Sequence, residues 1–154
     1  MAVFLIDNEK AYTYTDLLDS LNSSSQYYPL FKNKDIYAYF VNLIQALAAS
    51  KPLVLLDSDL NPSEIDGMDD SQVNVAAAAE HTPYVSMDDV VAALQQSTSE
   101  ITIFTSGTTG QPKKVVHTVY TLTRSVRLGE KYMGQVWAYA YNPTHMAGLQ
   151  VFFQ

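Results

Sequence analysis

Cysteine is absent from the chain, which excludes a disulfide framework and any thiolate metal site. Histidine is scarce: His81, His117 and His145 lie far apart and show no zinc-ligand spacing. Charged residues make up only 16% of the sequence, and the lysines and arginines form no basic block. With a net charge of −7, this argues against a nucleic-acid partner. No apolar stretch is long enough to span a bilayer, so no membrane partner is expected. A basic segment leading into a long apolar run, the mark of a secretory signal, is not visible at the start; a cytoplasmic location is the expectation. What is plentiful is apolar surface. Hydrophobic residues reach 47% of 154 residues, a globular composition large enough for one domain with a real core. Tyrosine is also common, at 11 residues; Tyr37 and Tyr39 are expected on a helix at the edge of the core, without a ligand role.

Patterning along the chain alternates between strand and helix. Residues 3–6 (Val-Phe-Leu-Ile) and 11–15 (Ala-Tyr-Thr-Tyr-Thr) flank a polar Asp-Asn-Glu-Lys turn and read as a β-hairpin, with Tyr12 and Tyr14 on one face. Thr15 or Asp16 is placed to cap a short helix ending near Leu21. From Asp35, apolar residues at 36, 39, 40, 43, 44 and 47 form one helical stripe, which Lys51-Pro52 ends. The run Leu53-Val-Leu-Leu56 suits a buried parallel strand. Residues 57–70 are acidic and rich in turn formers. Their carboxylates (Asp57, Asp59, Glu64, Asp66, Asp69, Asp70) lack calcium-loop spacing and read as a solvated loop, so no metal site is assigned. Residues 73–79 fit a short helix or a strand equally well. Ser86-Met-Asp-Asp89 opens a helix through Leu94, residues 101–104 are a strand, 118–131 a helix and 136–141 a strand. The expectation is an α/β layered domain with a largely parallel sheet, flanking helices and an N-terminal β-hairpin.

One stretch carries chemistry. Residues 105–113 read Thr-Ser-Gly-Thr-Thr-Gly-Gln-Pro-Lys, directly after the apolar strand 101–104. Glycines let backbone N–H groups approach an anion, short hydroxyls add donors, and a lysine adds charge, so the loop suits a polyphosphate. It is not a Walker A loop: Gly107 and Gly110 are too close together, and proline separates glycine from lysine. The order resembles the phosphate-binding signature of the acyl-adenylate-forming superfamily, which includes acyl-CoA synthetases, peptide-synthetase adenylation domains and luciferases. Every fixed position from Thr105 to Lys113 matches, with the usual aromatic at Phe104. Lys114 departs from it, standing where the family usually has glycine.

The resemblance implies an enzyme that activates a carboxylic acid with ATP and magnesium, releasing pyrophosphate. Coenzyme A is the implied acceptor. It assigns Thr105, Ser106, Gly107, Thr108, Thr109 and Gly110 to the cradle around the ATP phosphates, and Lys113 to the charge of the departing pyrophosphate. Downstream, the stretch Tyr141-Asn-Pro-Thr-His-Met-Ala-Gly148 resembles the family's Pro-x-x-His-x-x-Gly segment, which lines the acyl pocket. His145 would then orient the carboxylic acid substrate; the plain alternative is a histidine hydrogen-bonded at a strand end. His117 is expected to have a structural or capping role at the start of the helix after the loop, and His81 to lie on the surface.

The family's adenine- and magnesium-binding Tyr-Gly-x-Thr-Glu segment, its ribose-binding aspartate and its C-terminal lysine have no counterpart in residues 1–154. The sequence therefore reads as a truncated part of the N-terminal AMP-binding domain, without the small C-terminal domain and inactive alone. An unfinished sheet is expected to make the isolated chain form homodimers or aggregate. The early position of the phosphate loop suggests a compact aryl or o-succinylbenzoate–CoA ligase. The competing reading is a degenerate, non-catalytic nucleotide-binding or interaction module of the same fold.

Overall fold

The computed structural model describes residues 2–106 and 110–154, with Ser106 by its backbone only. The chain opens with a hairpin of β1 (Val3–Asp7) and β2 (Lys10–Thr13). It turns on Asn8 and Glu9, both at positive φ, as a two-residue hairpin turn requires. The second strand ends earlier than expected because Thr13 itself caps helix α1 (Tyr14–Asn22). The Thr13 hydroxyl accepts the Asp16 N–H at 3.1 Å, while the Asp16 carboxylate accepts the Thr13 N–H at 2.7 Å. This capping box overrides the strand pattern. Tyr12 and Tyr14 consequently do not share a strand face. Tyr12 stacks on Tyr37 with centroids 3.8 Å apart, and Tyr14 meets Phe4.

Helix α2 (Ile36–Ala48) forms as its stripe dictates. Tyr39, Phe40, Leu43, Ile44 and Leu47 are buried, and the Asp35 carboxylate accepts the Ala38 N–H at 2.9 Å. Tyr39 therefore lies in the core rather than at its edge. Replacing Asp35 by alanine removes that cap and is expected to cost about 1 kcal/mol. Thermal unfolding should then come about 2–4 °C lower, and an unchanged midpoint would show that the cap is dispensable.

The main sheet has the order β4 (Leu30–Lys32), β5 (Leu53–Leu56), β7 (Glu100–Ser106) and β8 (Pro112–Thr118). The first three strands run parallel, and β8 returns antiparallel to β7. Two-residue strands β3 (Gln26–Tyr27) and β6 (Ala77–Ala78) pair separately, so the ambiguous stretch 73–79 contributes a strand. One core lies between the sheet and α2, with Leu53, Leu55, Ile101 and Ile103 below Leu43 and Leu47. A second joins Leu17, Leu21, Ile44 and Val90, which brings α1 and α3 (Met87–Gln95) against α2. Helix α3 begins as expected, with Ser86 and Asp89 in a capping box. Its backbone and side-chain hydrogen bonds to Ser86 hold the Asp89 carboxyl below its ordinary pKa.

The structure corrects the reading of residues 118–141. Helix α4 spans Val119–Thr123 only, capped by Thr118, and the chain then passes Gly129 at φ 126 into a short 3-10 turn at Glu130–Tyr132. A helix from 118 to 131 would have to accommodate that glycine, whose φ is far outside the helical range. The strand expected at 136–141 does not form. Val136 is 93% exposed, and among the described residues neither edge strand, β4 or β8, pairs with this segment. The apolar segment at 145–154 folds instead as helix α5 (Met146–Phe153), with Leu149 buried and Phe152 against Phe40. The acidic stretch 57–70 stays a loop, turned by the 3-10 segments Pro62–Glu64 and Asp70–Gln72. Among the described residues no helix is long and apolar enough to cross a membrane.

Candidate active site at the carboxyl edge of the sheet

In an open sheet of parallel strands, ligands bind beyond the carboxyl ends of the strands. Here β5 and β7 are parallel neighbours, so Asp57 and the loop after Ser106 leave the sheet at the same edge. The β7–β8 ladder flanks that loop. Thr105 pairs with Lys113 and Ser106 with Pro112, so the ladder runs up to both ends of the signature stretch. Gly110 sits at φ 84, a conformation glycine adopts without the penalty a side chain would bring. Gly107, Thr108 and Thr109 lie outside the described residues. Thr105 and Lys113 are exposed at the ends of the signature stretch, ready to meet solvent or an anion.

Strand alternation separates the two lysines. Lys113 shares its face of β8 with Val115 and His117, and Val115 packs on the core. Lys114 shares the other face with exposed Val116. His117 belongs to this strand, opposite Ile101, and does not cap the following helix; Thr118 does so. Burial lowers the His117 pKa. A lowered value means that the unfolded chain takes up the proton first as pH falls. The contribution of neutral His117 is complete above about pH 6.5 and is lost as pH drops toward its folded pKa. Thermal midpoints of the wild type should therefore fall more between pH 7 and pH 5 than those of His117→Gln; equal slopes would rule this out.

The second motif arrives at the same edge from far along the sequence. The Asn142 side-chain amide donates to Asp57 Oδ2, and Asn142 Oδ1 accepts the Thr144 N–H at 2.9 Å and the Thr144 hydroxyl at 2.8 Å. The His145 N–H closes the turn on the Asn142 carbonyl at 3.0 Å. His145 precedes α5, its side chain 58% exposed and Nε2 4.0 Å from Asp57 Oδ2. The match to the family segment is best in its His-x-x-Gly part, because Pro143 stands one residue closer to His145 than the pattern has it. Gly148 supplies the close approach that this part of the pattern needs. A Cβ there would lie 2.2 Å from the Asn142 carbonyl oxygen.

A cavity of about 390 Å³ opens beside this turn, lined by Tyr39, Ser58, Asn142, Pro143 and Thr144 among others. The buried hydroxyls of Tyr39 and Tyr139 have no hydrogen-bond partner among the described residues, and burial raises both pKa values well above the ordinary tyrosine range. A larger cavity, about 580 Å³, lies by Leu30, Val54 and Met68, at the opposite ends of β4 and β5 from either motif. Its size alone does not make it the site. His81 is half-buried rather than on the surface, its ring stacked on Tyr84 at 4.6 Å.

The sequence reading missed the Asp57–Asn142 bond. Asp57 looked like the first of several solvated acids, and 85 residues separate it from its partner. Its place directly after a buried strand was the available signal.

A family model described as AMP-binding enzyme matches residues 38–154, well over half of the chain. The chain belongs to the AMP-binding enzyme family. The match covers all but the first two residues of α2, the whole of β5, β7 and β8, and both motif segments. An AMP-binding chain is placed among the adenylate-forming ligases, and the mixed α/β fold agrees with that. No curated protein and no solved structure matches the sequence.

Proposed function

We propose that the protein acts as an ATP-dependent ligase that joins a carboxylic acid to coenzyme A through an acyl-adenylate. A carboxylate oxygen attacks the α-phosphorus of ATP, the α–β bridging bond breaks, and pyrophosphate departs. The coenzyme A thiol, losing its proton, then attacks the acyl carbonyl, and AMP leaves. Thr105, Ser106, Gly107, Thr108, Thr109 and Gly110 supply the donors to the β- and γ-phosphates. Lys113 meets the charge that accumulates on pyrophosphate. His145 orients the carboxylate. The observation that supports this most is that the Asn142–His145 turn is bonded to Asp57, at the same edge of the sheet where the chain leaves β7.

Magnesium accompanies ATP in this family. Among the described residues no three acidic or histidine side chains gather to hold it, so no step is assigned to it here. The acid is proposed to be of the aryl or o-succinylbenzoate type, the class to which the sequence resemblance points. A second reading, a non-catalytic nucleotide-binding module, draws on Lys114 standing in place of the family's glycine. Carboxylate-dependent exchange of labelled pyrophosphate into ATP separates the two. It should be run on this chain and on the native-length gene product, with an acid panel that includes o-succinylbenzoate. Exchange by the native-length product supports the ligase. No exchange with any acid, together with retained ATP binding, favours the module.

A further inference from the structure

We propose that Asp57 is a positioning residue that anchors the Asn142–His145 turn, and with it the His145 imidazole, to the carboxyl end of β5. The inference rests on the reading of His145 as the residue beside the reacting carboxylate. Asp57 follows directly on the buried strand Leu53–Leu56, so its backbone is fixed by the sheet. Its two carboxylate oxygens take donors from two directions. Oδ1 accepts the Asp59 N–H at 3.0 Å, and Oδ2 accepts the Asn142 side-chain amide.

The partner has no freedom to turn its amide around. Asn142 Oδ1 is already occupied by the Thr144 N–H and hydroxyl, so the NH₂ side must face an acceptor. Only a carboxylate at position 57 offers an oxygen to each of its two donors; an asparagine there has one oxygen for both. Thr144, at the base of the turn, is 3% exposed, whereas the His145 side chain remains 58% exposed. The anchor is therefore held and the imidazole left open to a ligand. At 4.0 Å, His145 Nε2 is beyond hydrogen-bond reach of Asp57 Oδ2, so the carboxylate acts on it mainly through Asn142. The nearby hydroxyls of Tyr39 and Tyr139 have no partner among the described residues and do not share this role.

The test is a double-mutant cycle in the native-length gene product, read by pyrophosphate exchange. Asp57→Asn is expected to raise the KM for the carboxylic acid at least tenfold while the KM for ATP stays within about twofold. Asn142→Ala should do the same, and the double variant should be no worse than Asn142→Ala, because both substitutions cut one connection. Additive losses, or a carboxylate KM moved less than twofold by Asp57→Asn while His145→Ala raises it, would overturn the anchor and leave the reading of His145 standing. If His145→Ala leaves that KM unchanged, the functional reading of His145 falls instead. Amide hydrogen exchange then judges the anchor without turnover. Thr144 and His145 should exchange at least tenfold faster in Asp57→Asn, with Val54 in β5 unchanged; equal rates overturn the proposal.

Discussion

Alanine at Lys113 in the native-length gene product should lower carboxylate-dependent pyrophosphate exchange by about 10²–10³-fold, the usual cost of removing one fixed group that stabilises charge in a transition state. The negative charge on the leaving group grows as the α–β bond breaks, so a cation near the pyrophosphate lowers the barrier more than it strengthens ATP binding. The loss should fall on the maximal rate, with the KM for ATP moving by a few-fold at most. Stability should hardly change, since Lys113 is exposed on an edge strand and surface substitutions usually stay within about 0.5 kcal/mol. Lys114→Ala is the internal comparison. Lys114 lies on the opposite face of β8, and its loss should cost less than about threefold. Equal losses at the two lysines would mean that the turn needs positive charge in general, not a cation on one face. No loss at Lys113 would mean that exchange does not depend on this cation, and the role given to Lys113 would fall.

How far the sequence revealed this site depends on how local each determinant is. The stripe of α2, the buried run of β5 and the box Ser86–Asp89 are written within a few residues, and each appears where its pattern places it. The phosphate turn is equally local in sequence. What surrounds it is not. Residues 112–118 form β8 because β7 offers a seven-residue antiparallel ladder, and no pattern inside Pro-Lys-Lys-Val-Val-His-Thr announces that partner. The converse error arose at 136–141, where a strand-like composition pairs with neither edge of the sheet and stays in coil. At Thr13 a side-chain cap decided the boundary against the strand pattern. The Asp57–Asn142 bond was the least legible of all, since it joins two loops that only the completed sheet brings together.

The same long-range assembly explains the stability change expected at Gly148. An alanine Cβ there would lie 2.2 Å from the Asn142 carbonyl oxygen, 2.9 Å from its carbon and 2.9 Å from the Tyr139 hydroxyl. The first two are backbone atoms of a turn that Asp57 and the His145 N–H already hold, so they cannot move aside as a flexible side chain would. Tyr139 is confined as well, its ring edge-on to Phe40 at 5.2 Å. Overpacking of this kind costs about 1–3 kcal/mol, and contact with fixed backbone places Gly148→Ala at the upper end. A cost of about 3 kcal/mol corresponds to a thermal midpoint lower by roughly 6–12 °C for a chain of this size. Ala147→Gly, one residue earlier in the same helix, costs about 1 kcal/mol through helix propensity alone and calibrates the scale. A midpoint for Gly148→Ala within 2 °C of wild type would mean that α5 does not press against the Asn142 turn. The turn must give way if the helix does not, so the variant should also speed exchange of the Thr144 and His145 amides. That couples the glycine of the His-x-x-Gly stretch to the placement of its histidine: a small residue is required at 148 because the imidazole-bearing turn lies against it.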